Sequence, residues 1–247
     1  MPYIDRVDPQ VAAADRVPSL NDADLGPAGL VCLLRCRDTS AEVVTRIGRN
    51  RSWMRSHEVK LAFVSNPRAP QVLARQVLPH LRWRDLAELS VNQRVSPVLR
   101  REAEKLLKVR LPELALGERV ALARRGSRGV VEMLRDETDA SVLRAVAGNS
   151  RATEADFARI LARSDVPAAF LSWLADQSSW SQRRAVRLAL VRHPRTPPAS
   201  ALHLIRALSP RDIDELQHDF AAPRIVRVAA ERHLSGAAPG GARARIG

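Results

Sequence analysis

Aromatic residues make up only 4% of this 247-residue chain, and there are just 11 glycines. A large β-sheet protein draws more heavily on aromatic and β-branched side chains. What stands in their place is alanine, leucine, valine and arginine, a composition that favours helix throughout. Cysteine is nearly absent. Cys32 and Cys36 are the only two, too few for a disulfide framework, and they read as reduced thiols packed as small apolar residues on one helix. Two thiols with no second pair cannot complete a zinc site, so no metal is expected. Long apolar runs are missing as well, and the first 24 residues lack a basic segment followed by an apolar one. Neither a membrane span nor a secretion signal is expected, which points to the cytoplasm.

Lysine is scarce too: Lys60, Lys105 and Lys108 are the only ones. The formal charge of +13 at pH 7 is therefore carried almost wholly by arginine. Such a balance suits nucleic acid, an anionic surface or an acidic protein. Much of it nevertheless lies beside acids at helical spacing, as in Arg100-Arg101-Glu102, the pattern of a solvated helix face.

What is present more than once is a short unit. Val186 to Pro197 reads Val-Arg-Leu-Ala-Leu-Val-Arg-His-Pro-Arg-Thr-Pro, and Val59 to Pro70 reads Val-Lys-Leu-Ala-Phe-Val-Ser-Asn-Pro-Arg-Ala-Pro. A looser copy starts at Val142, with Asn149 but with Ser150 in place of proline. Physically the unit is a helix covered on several sides, a sharp corner and a second helix. Proline disfavours helical geometry at the residue before it, which stops the first helix at Asn66 or His193. Asparagine can close such a helix in the left-handed conformation. Thr196 is placed to cap the next helix, with Pro197 in its first turn, and Thr153 with Asp156 offers a similar start.

Sliding the sequence by 127 positions (186 − 59) aligns Trp53 with Trp180, Pro67 with Pro194, Arg84-Asp85 with Arg211-Asp212 and Leu107 with Leu234. Recurrent helical units of this kind stack into arrays. The expected fold is an all-α solenoid of roughly a dozen short helices, internally duplicated with a 127-residue offset. Its expected layout is an extended arm over 1–20, a solenoid over 21–234 and a disordered tail over 235–247. Within the solenoid, halves 21–107 and 147–234 are joined by a helical connector over 108–146. Expected helices include Gly29 to Cys36, Ala41 to Arg49, Trp53 to Ser65, Pro70 to Leu81, Arg84 to Ser90 and Pro97 to Val109.

The pattern Val-Arg-x-Ala-x-Val-x-(His/Asn)-Pro-x-Thr-Pro followed by a leucine-bearing helix resembles the leucine-rich repeat variant proteins of bacteria, a branch of the HEAT-like helical solenoids. The resemblance is good at Val186 to Leu208 and Val59 to Leu81, and partial at Val142 to Leu161. It implies a right-handed stack of helices that binds rather than catalyses. Some such proteins carry an iron–sulfur cluster on an added cysteine-rich region, which two cysteines do not supply, so no cofactor is expected. The HEAT-like alkylpurine DNA glycosylases are similar in length and basic character, without a shared motif.

No phosphate loop, nucleophile elbow or paired-histidine helix occurs, and isolated carboxylates such as Asp156 or Asp176 are the only candidates for a base. The leading expectation is a non-catalytic scaffold for a protein partner; the alternative is an arginine-rich nucleic-acid-binding solenoid, with a HEAT-like DNA glycosylase as its enzymatic version. Arg68 and Arg195, in the corners with no acidic neighbour in sequence, are candidate anion contacts, as are Arg55 and Arg128 within the clusters Arg49, Arg51, Arg55 and Arg124, Arg125, Arg128. The duplicated Trp53 and Trp180 either wedge between helices or face a ligand. Trp173, inside Phe170-Leu171-Ser172-Trp173-Leu174, reads as core.

Overall fold

A computed structural model describes residues 26–237 of the chain. Sixteen α-helices and three 3-10 turns are joined by short corners, with no strand among the described residues. The all-helical class follows from the sequence, but the helices are more numerous than the dozen expected. Two of the expected long helices are divided. Trp53–Arg55 is a 3-10 turn, and Ser56 is extended (φ −67°, ψ 130°) before α3 (His57–Ser65) begins. Pro70 to Leu81 splits into α4 (Gln71–Val77) and a 3-10 turn over Leu78–His80, because Pro79 has no N–H to continue the α pattern. The expected arm over 1–20 lies outside the described residues. So does most of the expected tail, although α16 (Arg224–Ala237) carries helix three residues beyond Leu234.

The chain divides into two compact units, residues 26–85 with 92–102 and residues 86–91 with 103–237. In the first, α1 (Pro27–Arg35) packs on α3, and α2 (Ala41–Arg49) packs on α3 and α4. Val59, Phe63 and Val64 of α3 are fully buried, along with Val44 and Ile47 of α2. Gly48 makes the approach of α2 and α3 possible: a Cβ there would stand 2.5 Å from the Phe63 ring. Cys32 and Cys36, expected to be buried, are exposed instead. They sit beside Leu30 and Leu34, which take the buried face of α1, and Cys36 is already past the helix end.

In the second unit, α7 (Leu116–Arg125), α9 (Ala140–Ala147), α11 (Ala168–Asp176), α14 (Pro198–Ile205) and α16 pack one against the next as a row. Against that row lie α8 (Arg128–Leu134), α13 (Arg184–Arg192) and α15 (Pro210–His218), and α13 also packs on α10 (Glu154–Leu161). The core between them holds Leu143, Phe157, Ile160, Phe170, Leu171, Leu174, Leu190 and Leu216, all within about 1% of complete burial. Helix starts are capped as their sequences dictate. Ser127 accepts from the N–H of Val130, Asp139 from those of Ser141 and Val142, and Ser209 from that of Asp212.

The corners work by side-chain hydrogen bonds and not by left-handed backbone. No described non-glycine residue has positive φ, and both Asn66 (φ −77°, ψ 125°) and His193 (φ −70°, ψ 125°) are extended, as a following proline demands. Asn66 Oδ1 accepts from the Arg68 N–H, Asn149 Oδ1 from Arg151 and His193 Nδ1 from Arg195. Each side chain then uses its other end on an earlier carbonyl. Asn66 Nδ2 donates to Leu34, Asn149 Nδ2 to Ala123 and His193 Nε2 to Arg163, at 2.7 to 2.8 Å. Because Nδ1 of His193 accepts, Nε2 must carry the proton: the neutral ring imitates an amide. Thr196, expected to cap forward, turns back and donates to Leu190 O at 2.7 Å, leaving Pro197 as the cap residue and Pro198 in the first turn.

This equivalence is testable. His193→Asn retains one acceptor and one donor and is expected to change stability by less than about 1 kcal/mol, whereas His193→Ala strands two backbone groups and costs about 1–3 kcal/mol. Urea denaturation of the two variants checks it, and equal losses would contradict the amide-like role.

Candidate functional site

The residues expected to touch a ligand are distributed by the fold between structural and open positions. Trp53 and Trp180 are 8% and 7% exposed, and both rings belong to the core. Trp180 Nε1 donates to Ala147 O at 3.0 Å, and its ring centroid lies 3.9 Å from that of Phe157. Arg68 donates from its guanidinium to the carbonyls of Arg37 and Thr39, which fastens its corner to the loop after α1. Arg55 and Arg195 are exposed, and no hydrogen bond or ion pair with a described residue engages either guanidinium.

Arg128 opens α8 and reaches across to α10, gripping Asp156 with two nitrogens, Nη2 to Oδ1 at 2.9 Å, while Glu132 lies 3.2 Å away. Asp156 is fully buried. Its Oδ2 also accepts from the N–H and hydroxyl of Thr153, both at 2.8 Å, the capping arrangement the Thr153 and Asp156 spacing suggests. Burial by itself would push this carboxyl up, but the Arg128 guanidinium and the Thr153 donors outweigh it and hold it at about 2. An aspartate so bound is not a general base.

The same pairing recurs at equal spacing. Arg184 at the start of α13 holds Asp212 of α15, Nε to Oδ1 at 3.0 Å, and Ser209 hydrogen-bonds the same carboxylate. The Arg184 hydrogen bond is the main reason the Asp212 carboxyl is lowered. In the first unit, His57 Nε2 stands 3.0 Å from Asp85 Oδ2, and Asp85 caps the Arg82 N–H at 2.8 Å. Each histidine or arginine precedes its aspartate by 28 residues (85 − 57, 156 − 128, 212 − 184). A recurring pair that caps one helix and ties it to another is architectural, and His57–Asp85 takes the same place in the first unit.

Grooves of about 620 Å3 at α10 and α13 and about 550 Å3 in the first unit are lined by members of these architectural pairs, Arg184 in the former and His57 with Asp85 in the latter. A groove without such a pair lies on the row of α7, α9, α11, α14 and α16. A groove of about 610 Å3 is lined by Arg124 and Arg125 of α7, Ser141, Arg144, Ala145 and Gly148 at α9, Val120 and Trp173, with no carboxylate. Arg124 and Arg125 are exposed, and neither meets a partner among the described residues. Arg144 is steadied by a 3.0 Å hydrogen bond to Ala169 O and lies 5.7 Å from the centroid of Trp173. Trp173, expected in the core, is only partly buried. Phe170 beside it fills the core, their centroids 6.0 Å apart, and Trp173 is left half-buried. Further along the row, a second groove of about 460 Å3 is lined by Leu202, Ile225, Val228, Ala229, Arg232 and His233.

The pair Arg124-Arg125 was visible as a basic cluster in the sequence. Arg144 and Trp173 were not, since they lie on different helices and only packing joins them. Among the described residues no three His, Cys, Asp or Glu side chains gather as a metal ion would require, and no helix is long and apolar enough to cross a membrane. No family model, curated protein or solved structure matches the chain.

Proposed function

We propose that this chain is a HEAT-like α-solenoid akin to the leucine-rich repeat variant proteins, internally duplicated, and that it serves as a non-catalytic scaffold for a protein partner. The observation that carries the reading is the agreement of helix bounds at the 127-residue offset. Ala41–Arg49 corresponds to Ala168–Asp176, His57–Ser65 to Arg184–Arg192, Trp83–Val91 to Pro210–His218 and Pro97–Arg110 to Arg224–Ala237, each pair separated by 127 at both ends (168 − 41, 176 − 49 and so on). Burial follows the same offset: Leu34 and Leu161, Val59 and Val186, Leu86 and Ile213 are buried at matched positions. Two copies of one helical arrangement produce a surface of repeated helix faces, and such surfaces are used for binding.

The carboxylates best placed by sequence for chemistry support this reading, since Asp156 and its counterparts are occupied by arginine and by caps. Affinity isolation of the full chain from its native cell is expected to recover a protein at near-stoichiometric yield. Recovery of nucleic acid alone would overturn the scaffold in favour of an arginine-rich nucleic-acid-binding protein.

A further inference from the structure

We infer that the outer side of the helix row α7–α9–α11–α14–α16 is a docking track for one extended segment of a partner protein, acidic at one end and apolar at the other. This deepens the scaffold reading and rests on it. The acidic end belongs at Arg124, Arg125 and Arg144. Three guanidiniums line one open groove with no carboxylate to neutralise them, and two of the three have no described partner at all. Uncompensated guanidiniums held on helices are pre-organised forks for carboxylates. Val120, Ala145 and Trp173 line the same groove, suited to an aliphatic or aromatic side chain lying among the acids.

The track becomes more apolar along its length, and this favours a peptide. At α14 and α16 the groove is lined by Leu202, Ile225, Val228 and Ala229 beside Arg232 and His233, with Leu202 and Ile225 exposed at 37% and 47%. A nucleic-acid strand keeps its charge at every step and gains little from those four apolar side chains. A peptide can alternate. Consecutive helices lie about 8–10 Å apart, so the two grooves are roughly 20 Å apart, a span for about six extended residues. Between them α11 and α14 are joined by the Ser172 and Ser200 hydroxyls at 3.3 Å, a small polar saddle that a peptide backbone can cross.

The test uses the full chain and a fluorescently labelled peptide with a run of glutamates at one end and a run of leucines at the other, joined by a glycine–serine spacer of about six residues. Binding is read by anisotropy against wild type, the double variant Arg124→Glu with Arg125→Glu, and Leu202→Asp. All three positions are exposed, and circular dichroism establishes that the helices persist. The double reversal is expected to weaken binding by more than about tenfold, since it replaces two charge-assisted donors to the peptide's carboxylates by like charges. Leu202→Asp is expected to weaken it severalfold, and replacing the peptide's leucines by serine should match that loss.

Binding unchanged by both sets of variants, no measurable binding, or displacement of the peptide by an equally long oligothymidylate at lower concentration would each overturn the docking track. A protein partner isolated equally well by wild type and by the double reversal would overturn the track while leaving the scaffold reading in place. Isolation of nucleic acid alone would overturn both.

Discussion

Trp180→Ala is expected to destabilise the protein by about 3–5 kcal/mol, the range for emptying a large aromatic site in a core. The indole is 7% exposed, its ring lies against Phe157, and its Nε1–H satisfies Ala147 O at the end of α9. Removal therefore leaves a cavity and a buried carbonyl without its donor at once. Trp180→Phe separates the two effects: most of the volume returns, but the carbonyl stays unpaired, and the expected cost falls to about 1–3 kcal/mol. Guanidinium denaturation reads both. The experiment also decides between the two roles open to a duplicated tryptophan, because an indole kept for a ligand would be lost from the fold with little penalty. A Trp180→Ala variant as stable as wild type would contradict the wedge.

The second large effect is at Asp156. Asp156→Ala is expected to cost about 2–4 kcal/mol, below the upper range for breaking a buried ion pair because Arg128 is 42% exposed and retains Glu132. Thr153 would also lose the acceptor for its N–H and hydroxyl. The charge contribution has a definite pH course. An unfolded aspartate titrates near 3.9, whereas the folded Asp156 is held at about 2. A lowered folded value means stability present above the unfolded value and lost as pH falls through the folded one. The stabilisation is therefore full above about pH 5, shrinks below about pH 4 and is gone below about pH 2, with about 2 kcal/mol at stake. Asp156→Asn keeps a capping oxygen but no charge, so the stability gap between wild type and this variant should narrow over the same interval. A gap independent of pH from 5 to 2 would show that the Arg128 pair contributes nothing through its charge.

Arg163 shows how far the arginine content serves the fold. Its guanidinium forks onto Asp165, Nη2 to Oδ2 at 2.9 Å, and reaches the carbonyls of Arg135 and Glu137 as Arg68 reaches those of Arg37 and Thr39. Arg187 likewise donates to the carbonyls of Ser181 and Ala207. Helix ends leave carbonyls without intrahelical partners, and in a chain of many short helices there are many such ends. Arginine satisfies them across corners. High positive charge here is thus partly a consequence of helix brevity, and only the guanidiniums left over, such as Arg124 and Arg125, speak for a ligand.

Much of the fold was legible because its determinants are local. The expected helix over Ala41 to Arg49 has those bounds in the structure, where Ser40 caps it, and Thr153 with Asp156 marks the start of α10. The break at Ser56 was missed because His57 to Ser65 and the residues before it share one helical pattern, and the turn is set by where Trp53 must be buried. The corners were placed correctly from Pro67 and Pro194, but the mechanism was not, since the carbonyls that Asn66 and His193 reach lie about thirty residues earlier.

Composition, helical periodicity and proline placement determined an all-helical chain and the positions of most corners, because each acts over a few neighbouring residues. Only the tertiary structure decided what the arginines do. Arg124 and Arg128 belong to one basic cluster in sequence, yet Arg128 faces a buried aspartate 28 residues on, while Arg124 meets no partner and lines a groove with Arg144 and Trp173. The charge of a guanidinium is written in the chain, but whether it is neutralised depends on which helix packs opposite, a distance in space that sequence spacing does not encode.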